Sequence, residues 1–317
     1  NIHQFAKELW PLNRSITGEG VRETLKRISE HLPTLEIKSV SSGTKVFDWI
    51  IPKEWSVKEA FIITPSGKKI CDFSKNNLHL VGYSIPFEGS VSFDELKKHL
   101  FTLPDQPNAI PYITSYYDES WGFCITQNQF DTLKNGTYQI VIKSTLFDGE
   151  LNYGELLIKG KSEKEIFLST YICHPSMANN ELSGPTVVTF IGKWLKEIEE
   201  TNYSYRIIFI PETIGSITYL SYNNKIMKNK IFAGFNVSCV GDDRSYSYVP
   251  SRNGKTISDL IAKHTLKWID PNFIEYSWLD RGSDERQYCA PGIDLPIASI
   301  LRTKYGSYPE YHTSLDD

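Results

Sequence analysis

Two histidines and one glutamate are placed where they could do chemistry together. His174 follows the β-prone run Ile166-Phe167-Leu168-Ser169-Thr170-Tyr171-Ile172. Glu212 follows the run Tyr205-Arg206-Ile207-Ile208-Phe209-Ile210 and Pro211, and His312 lies in the closing loop 305–313. A third apolar stretch, 231–240, runs into Gly241-Asp242-Asp243-Arg244. Two imidazoles and one carboxylate, with a fourth position left for water, form the ligand set of a catalytic zinc site. A separate glutamate beside that water can take its proton during attack on a carbonyl. Glu212 suits that role, because a carboxylate at the carboxyl end of a buried strand is better placed as a base than one on a solvated helix. Taken alone it is equally well explained as a helix N-terminal glutamate favoured by the dipole. A lone histidine is often structural, so the weight falls on the set.

The elements that must position these residues follow from hydrophobic patterning. Short, near-continuous, β-branched apolar runs read as buried strands of a covered sheet, and open α/β sheets place their ligands past the carboxyl ends of such strands. After His174 a polar loop reaches Ser183-Gly184. Val187, Val188, Ile191, Trp194, Leu195 and Ile198 then recur at helical spacing, with Pro185 in the permitted first turn. At the start, a helix over 2–9, an ordered loop and a second helix from about 21 to 31 are expected, with Ser15 and Thr17 offering N-cap chemistry ahead of Glu19. Arg14, in that loop, is a surface charge or a substrate anchor, and the sequence alone favours the surface. From about residue 39 the texture changes to short aromatic-rich strands and turns, with clear alternation over 137–142. The chain therefore divides into an α/β core of 1–42 and 153–317 and an inserted β-rich domain of 43–152. The insertion's aromatic residues serve as core packing or, less simply, as a wall of the cleft. A helix over 256–269 and a last strand over 294–300 complete the core.

Composition narrows the partners. The 317 residues are 40% hydrophobic and 23% charged, with a formal net charge of −4, which is ordinary globular material. No Lys/Arg-rich block points to nucleic acid, and no apolar run reaches the length of a membrane span. Cys71, Cys124, Cys173, Cys239 and Cys289 are odd in number and never form a CxxC pair, so a disulfide framework is disfavoured and a reducing cytoplasm fits best. The chain begins at Asn1 without methionine or signal-peptide pattern and ends just after a loop-like segment, as a piece of a longer protein would.

The segments CHPSMANNELSG, RIIFIPETIGS, VGDDRSYSYVPSRNG, DRGSDERQY and RTKYGSYPEYHTSLD resemble those of bacterial aminopeptidase-like proteins, which are often encoded near polysaccharide-biosynthesis genes and are distant relatives of the zinc aminopeptidases and carboxypeptidases. LNRSITGEGVRETL, NNLHLVGYSIP and TLPDQPNAIPYITSYY extend the resemblance over nearly the whole chain. It implies a three-layer α/β/α core of zinc-exopeptidase type around a mixed sheet, with a smaller inserted β-rich domain. It also implies a hydrolase of a peptide or N-acyl amide bond. From longer members of that family, the resemblance also implies a C-terminal winged-helix module after this point, outside these 317 residues.

Residue by residue, the resemblance assigns His174 and His312 to the metal and Glu212 to the base. Three carboxylates of the two-zinc aminopeptidases fall on Asn180, Thr213 and a position near Asn236, so a two-metal centre is disfavoured, because two dications without anionic bridges repel. A single zinc is expected, as in the related carboxypeptidases, with Glu181 as third ligand and Asp243 and Asp284 in reserve. Arg14, Asp284, Arg286 and Tyr311 are expected to face the substrate, a small peptide or an N-acylated sugar. Neither nucleic acid nor membrane is expected as a partner, and homo-oligomerisation is left open. Metal-free ligand binding in the old cleft is the competing expectation, prompted by the same neutral replacements.

Overall fold

The computed structural model describes residues 1–317. Helix α1 is Ile2–Leu9 and α2 is Glu19–His31. The α2 start corrects the capping expectation. Its N-cap is Gly18, at φ 100°, while Thr17 turns away to meet the Tyr83 hydroxyl at 2.6 Å and to accept the Trp55 N–H at 3.3 Å. The hydroxyl thus ties the N-terminal loop to the smaller sheet.

Strand β1, Glu36–Ser41, enters the large sheet, and the chain leaves it to build four strands: β2 Glu54–Ile63, β3 Lys69–Ile70, β4 Phe87–Ser92 and β5 Thr137–Phe147. These form a separate antiparallel sheet in the order β3-β2-β5-β4. The chain returns through β6 Glu150–Ile158 and β7 Ser162–Tyr171 to α3 Ser183–Glu197, β8 Tyr203–Ile210, α4 Ile214–Lys230 and β9 Ile231–Asn236. It ends with β10 Ser247–Val249, α5 Ile257–Ile269, β11 Ile274–Glu275, the short helix α6 Glu285–Tyr288 and β12 Ile297–Leu301. The eight strands of the large sheet run in the order β1-β6-β8-β7-β9-β12-β10-β11. The central four, β8, β7, β9 and β12, are mutually parallel, and β1 and β6 add antiparallel at one edge. This is a mixed α/β fold.

Both faces of the central strands are covered, which is why their sequences are continuously apolar rather than alternating. Leu168, Ile207 and Phe209 pack with Leu9, Leu25 and Val188 of α1, α2 and α3. Phe167, Ile208 and Ile210 pack on the other face with Ile214, Ile217 and Tyr219 of α4. That second cluster continues into Trp55, Ile62, Ile140 and Ile142, so the smaller sheet shares a core with the larger one. Gly184 lets α3 approach: a Cβ there would lie 2.5 Å from both the Thr170 Oγ1 and the Val237 carbonyl oxygen. No helix is long and apolar enough to cross a membrane.

Candidate active site

β7 and β8 are adjacent and parallel with Tyr171 opposite Ile210, so His174 and Glu212 emerge side by side at the carboxyl edge of the sheet. The Glu212 Oε2 lies 3.7 Å from the His174 Nε2. The other imidazole nitrogen, Nδ1, meets the Glu181 Oε2 at 2.8 Å. Glu181 sits on one π-helical turn, Ala178–Leu182, whose opening N–H groups at Asn179 and Asn180 both donate to the Asp316 carboxylate at 2.8 Å. Beneath it lies Arg14, which is fully buried rather than at the surface as the sequence suggested. Its Nε donates to the His174 carbonyl at 2.9 Å and stands 3.5 Å from the Glu181 Oε1, while Nη1 donates to the Leu9 carbonyl. A guanidinium is tolerated there because backbone acceptors and a carboxylate surround it. Arg14 therefore holds the histidine from below, with its Nη2 buried and without a partner.

Glu212 is held with equal care. The Ser283 hydroxyl donates to its Oε1 at 2.5 Å. The next residue, Thr213, has φ 62° and ψ −76°, and the Ile214 N–H donates back to the Glu212 carbonyl at 2.8 Å. This is the rare, strained γ-turn, held by a β-branched residue at positive φ. Asp284 fastens it: its Oδ1 accepts the Thr213 N–H at 2.8 Å and the Ser216 hydroxyl at 2.7 Å. Expected at the substrate, Asp284 is instead buried under the turn, and Arg286 on α6 points to solvent. Glu285 closes the same loop, accepting from the Gly282 and Ser283 N–H groups, the Tyr305 hydroxyl and the Asn236 amide. Ser283, which holds the candidate base, is missed by sequence reasoning, although it stands in the dense polar run 279–288.

His312 comes from the closing loop, at φ 57°, with its ring centre 5.3 Å from that of His174. Tyr311 stacks on it at 3.9 Å and is half-buried. Tyr112, from the smaller sheet's proline-rich connector, packs in T-shaped contact with both His174 at 5.2 Å and His312 at 5.1 Å between ring centres. Its hydroxyl lies 3.1 Å from that of Tyr116, itself at φ 47°. The sequence offers aromatic residues as a cleft wall without singling out these two.

Electrostatics follow from burial. Burial alone would lower the His174 imidazole, but Cys173 and Glu181 outweigh it and hold it well above its ordinary value. Burial pushes the Cys173 thiol up to about 11, so it keeps its proton at neutral pH. Burial also raises Glu212, against the pull of His174 and Ser283. His312 is pushed down to about 3 by burial and by the charge on His174, so it stays neutral.

The donor set can be matched to a zinc ion. The His312 Nε2 is buried without a hydrogen-bond partner, and two imidazoles sharing one tetrahedral zinc have ring centres about 5 Å apart. His174 offers Nε2 with Nδ1 bound to a carboxylate, the usual arrangement of a metal-ligating histidine. The histidine pair therefore fits one ion. Glu181 lies on the Nδ1 side, which corrects its expected place as third ligand: it orients the imidazole instead. Asp243 is exposed, and its neighbour Asp242 is engaged with Asn179 and Thr303, so neither approaches the pair. No three His, Cys, Asp or Glu side chains converge on one cation position. A second ion does not fit, because Asn180 is tied to Tyr171 and Asn236 to Glu285, both as neutral amides.

The family profile described as a domain of unknown function, DUF4910, matches residues 3–317. A Clostridium acetobutylicum protein, provisionally named as a polysaccharide biosynthesis protein with aminopeptidase-like domain, is 48% identical over 316 residues, spanning 100% of this chain and 72% of its own length. A crystal structure of a C. acetobutylicum protein provisionally described as a peptidase superposes with a TM-score of 0.96 at 47% identity, covering 100% of this chain and 74% of that one. The zinc aminopeptidase of Bacillus subtilis shares the fold at TM-score 0.69 and 12% identity, covering 100% of this chain and 87% of its own. The chain belongs to the DUF4910 family of aminopeptidase-like proteins and has the fold of the M28 peptidases.

Proposed function

We propose that the chain is a hydrolase of an amide bond, peptide or N-acyl, with Glu212 as general base and one zinc held by His174 and His312. The observation that supports this most is the Glu212 carboxylate, gripped at Oε1 by Ser283 and free at Oε2, 3.7 Å from the His174 Nε2. Zinc bound at the histidine pair would bring the pKa of a water close to neutrality. Glu212, with Oε2 free, is the group that would take a proton from the attacking water and return it to the departing amine, and its raised proton affinity suits both roles. Glu181 and Arg14 keep the His174 Nε2 aimed at the cleft, while Asp284 and Ser283 keep Glu212 beside it.

The C. acetobutylicum relative is named for polysaccharide biosynthesis, and in this proposal the substrate is a small peptide or an N-acylated sugar. Nucleic acid and membrane are not partners in this proposal, and five unpaired buried cysteines accord with a reducing cytoplasm. The neutral Asn180, Thr213 and Asn236 favour one alternative, a silent relative that binds such a ligand without cleaving it. A panel of aminoacyl and N-acyl sugar amides separates the two. Turnover by the zinc-loaded protein that falls by roughly 10² to 10⁴ in Glu212→Gln is expected for the hydrolase. Binding from the same panel without turnover supports the alternative.

A further inference from the structure

The two histidines are held in different ways. His174 has a hydrogen-bonded carboxylate on Nδ1. His312 has none: its Nε2 is buried without a partner, its backbone sits at φ 57°, and the rings of Tyr311, Tyr112 and His174 pack against its imidazole. Tyr311 lies flat against it, 3.9 Å between centres and 14° between planes, and the Tyr112 ring is perpendicular to it at 5.1 Å and 86°. Tyr112 also fixes the backbone. Its N–H donates to the His312 carbonyl at 2.8 Å, Pro111 forms a β-bridge with Thr313, and the Ser314 N–H donates to the Ile110 carbonyl at 2.9 Å. The same tyrosine touches His174 at 5.2 Å, so one ring spaces both imidazoles. It comes from the connector of the smaller sheet, far in sequence from either histidine.

A metal-bound imidazole ordinarily needs an outer partner to fix its ring, and loss of that partner typically weakens metal binding 10- to 100-fold. We propose that Tyr112 is a positioning residue for the metal pair, and that its ring, with Tyr311, clamps His312 in place of the usual hydrogen bond. The smaller sheet thereby gains a defined role, because its connector completes the site by setting the angle and spacing of a ligand that the α/β core delivers but does not orient. Edge and face contacts of this kind are directional, so they can set a ring plane as well as fill space. The proposal rests on His312 as a zinc ligand.

The test uses metal-free full chain titrated with Zn²⁺ against a chromophoric chelator, in wild type, Tyr112→Phe and Tyr112→Leu. The expected result is affinity within about 3-fold of wild type for Phe, which keeps the ring, and a loss of roughly 10- to 100-fold for Leu. Equal affinity for Leu and wild type, or an equal loss in Phe and Leu, overturns the clamp. Imidazole ¹H–¹⁵N correlation spectra of the metal-free chain decide the matter independently. One ordered set of His312 ring signals in wild type and Phe, and averaged or doubled signals in Leu, are expected. A His312 ring equally ordered in Leu overturns the clamp even if no variant binds zinc, whereas wild type failing to bind zinc with the spectra as expected contradicts only the metal assignment.

Discussion

Glu181 accepts a hydrogen bond from the His174 Nδ1 at 2.8 Å, and the opposite nitrogen of that ring faces Glu212 at 3.7 Å. The imidazole is thus a hinge between two carboxylates with different roles. One fixes the tautomer and the other shares the space where a proton must move.

Glu181→Gln separates orientation from ligation. An amide can still accept from Nδ1, so zinc affinity should fall by roughly 10- to 100-fold instead of vanishing. His174→Ala should abolish it. Isothermal titration with zinc on both variants checks this, and equal loss in the two would make Glu181 a ligand.

Thr213 carries a strained backbone on which Glu212 depends. Thr213→Gly removes a steric cost of about 1–3 kcal/mol and adds an unfolded-state entropy cost of about 0.5–1 kcal/mol, so stability should rise or stay within about 1 kcal/mol of wild type. Thr213→Pro cannot adopt φ 62° and loses the N–H that Asp284 accepts, so it should cost about 3 kcal/mol or more. Urea unfolding of both variants measures the contrast.

Sequence patterning is enough to place the strands that carry His174 and Glu212, because burial on both faces leaves an unbroken apolar signal. It does not show what holds those residues. Arg14 looks like a surface charge because its acceptors, the carbonyls of His174 and Leu9, are invisible in a local window. Glu181, seven residues after His174, could be a ligand or an orienting partner, and only the π-helical turn directs it to Nδ1. Ser283 and Tyr112 reach the site across 71 and 200 residues from Glu212 and His312, distances over which no periodicity speaks. Asp243, held in reserve as a ligand, is misplaced for a related reason: it follows a suitable strand, yet its loop folds outward, with Asp242 on Thr303 and Asp243 in solvent.

Acid stability should depend on Asp259, remote from the site. Burial pushes its carboxyl up, but bonds from Ser251, Tyr248 and Thr256 outweigh that and hold it below its ordinary value. A depressed folded-state value means the stabilisation is fully present above the unfolded carboxylate range and is lost as pH falls through the folded value. Asp259→Ala should therefore cost about 2 kcal/mol near neutrality, with a smaller deficit under acid conditions. Thermal unfolding of both proteins from pH 7 downward tests the sign, and a deficit that grows on acidification would reverse it.

Zinc stoichiometry tests the central claim most directly. Chain purified without added metal, stripped and reloaded with Zn²⁺, should hold about one ion, as expected for a site built on a single histidine pair. Glu212→Gln should hold the same amount, and His174→Ala and His312→Ala should hold none. Two ions per wild-type chain, none at all, or zinc retained by both histidine variants would contradict the assignment of His174 and His312 as the metal pair and Glu212 as the base beside it.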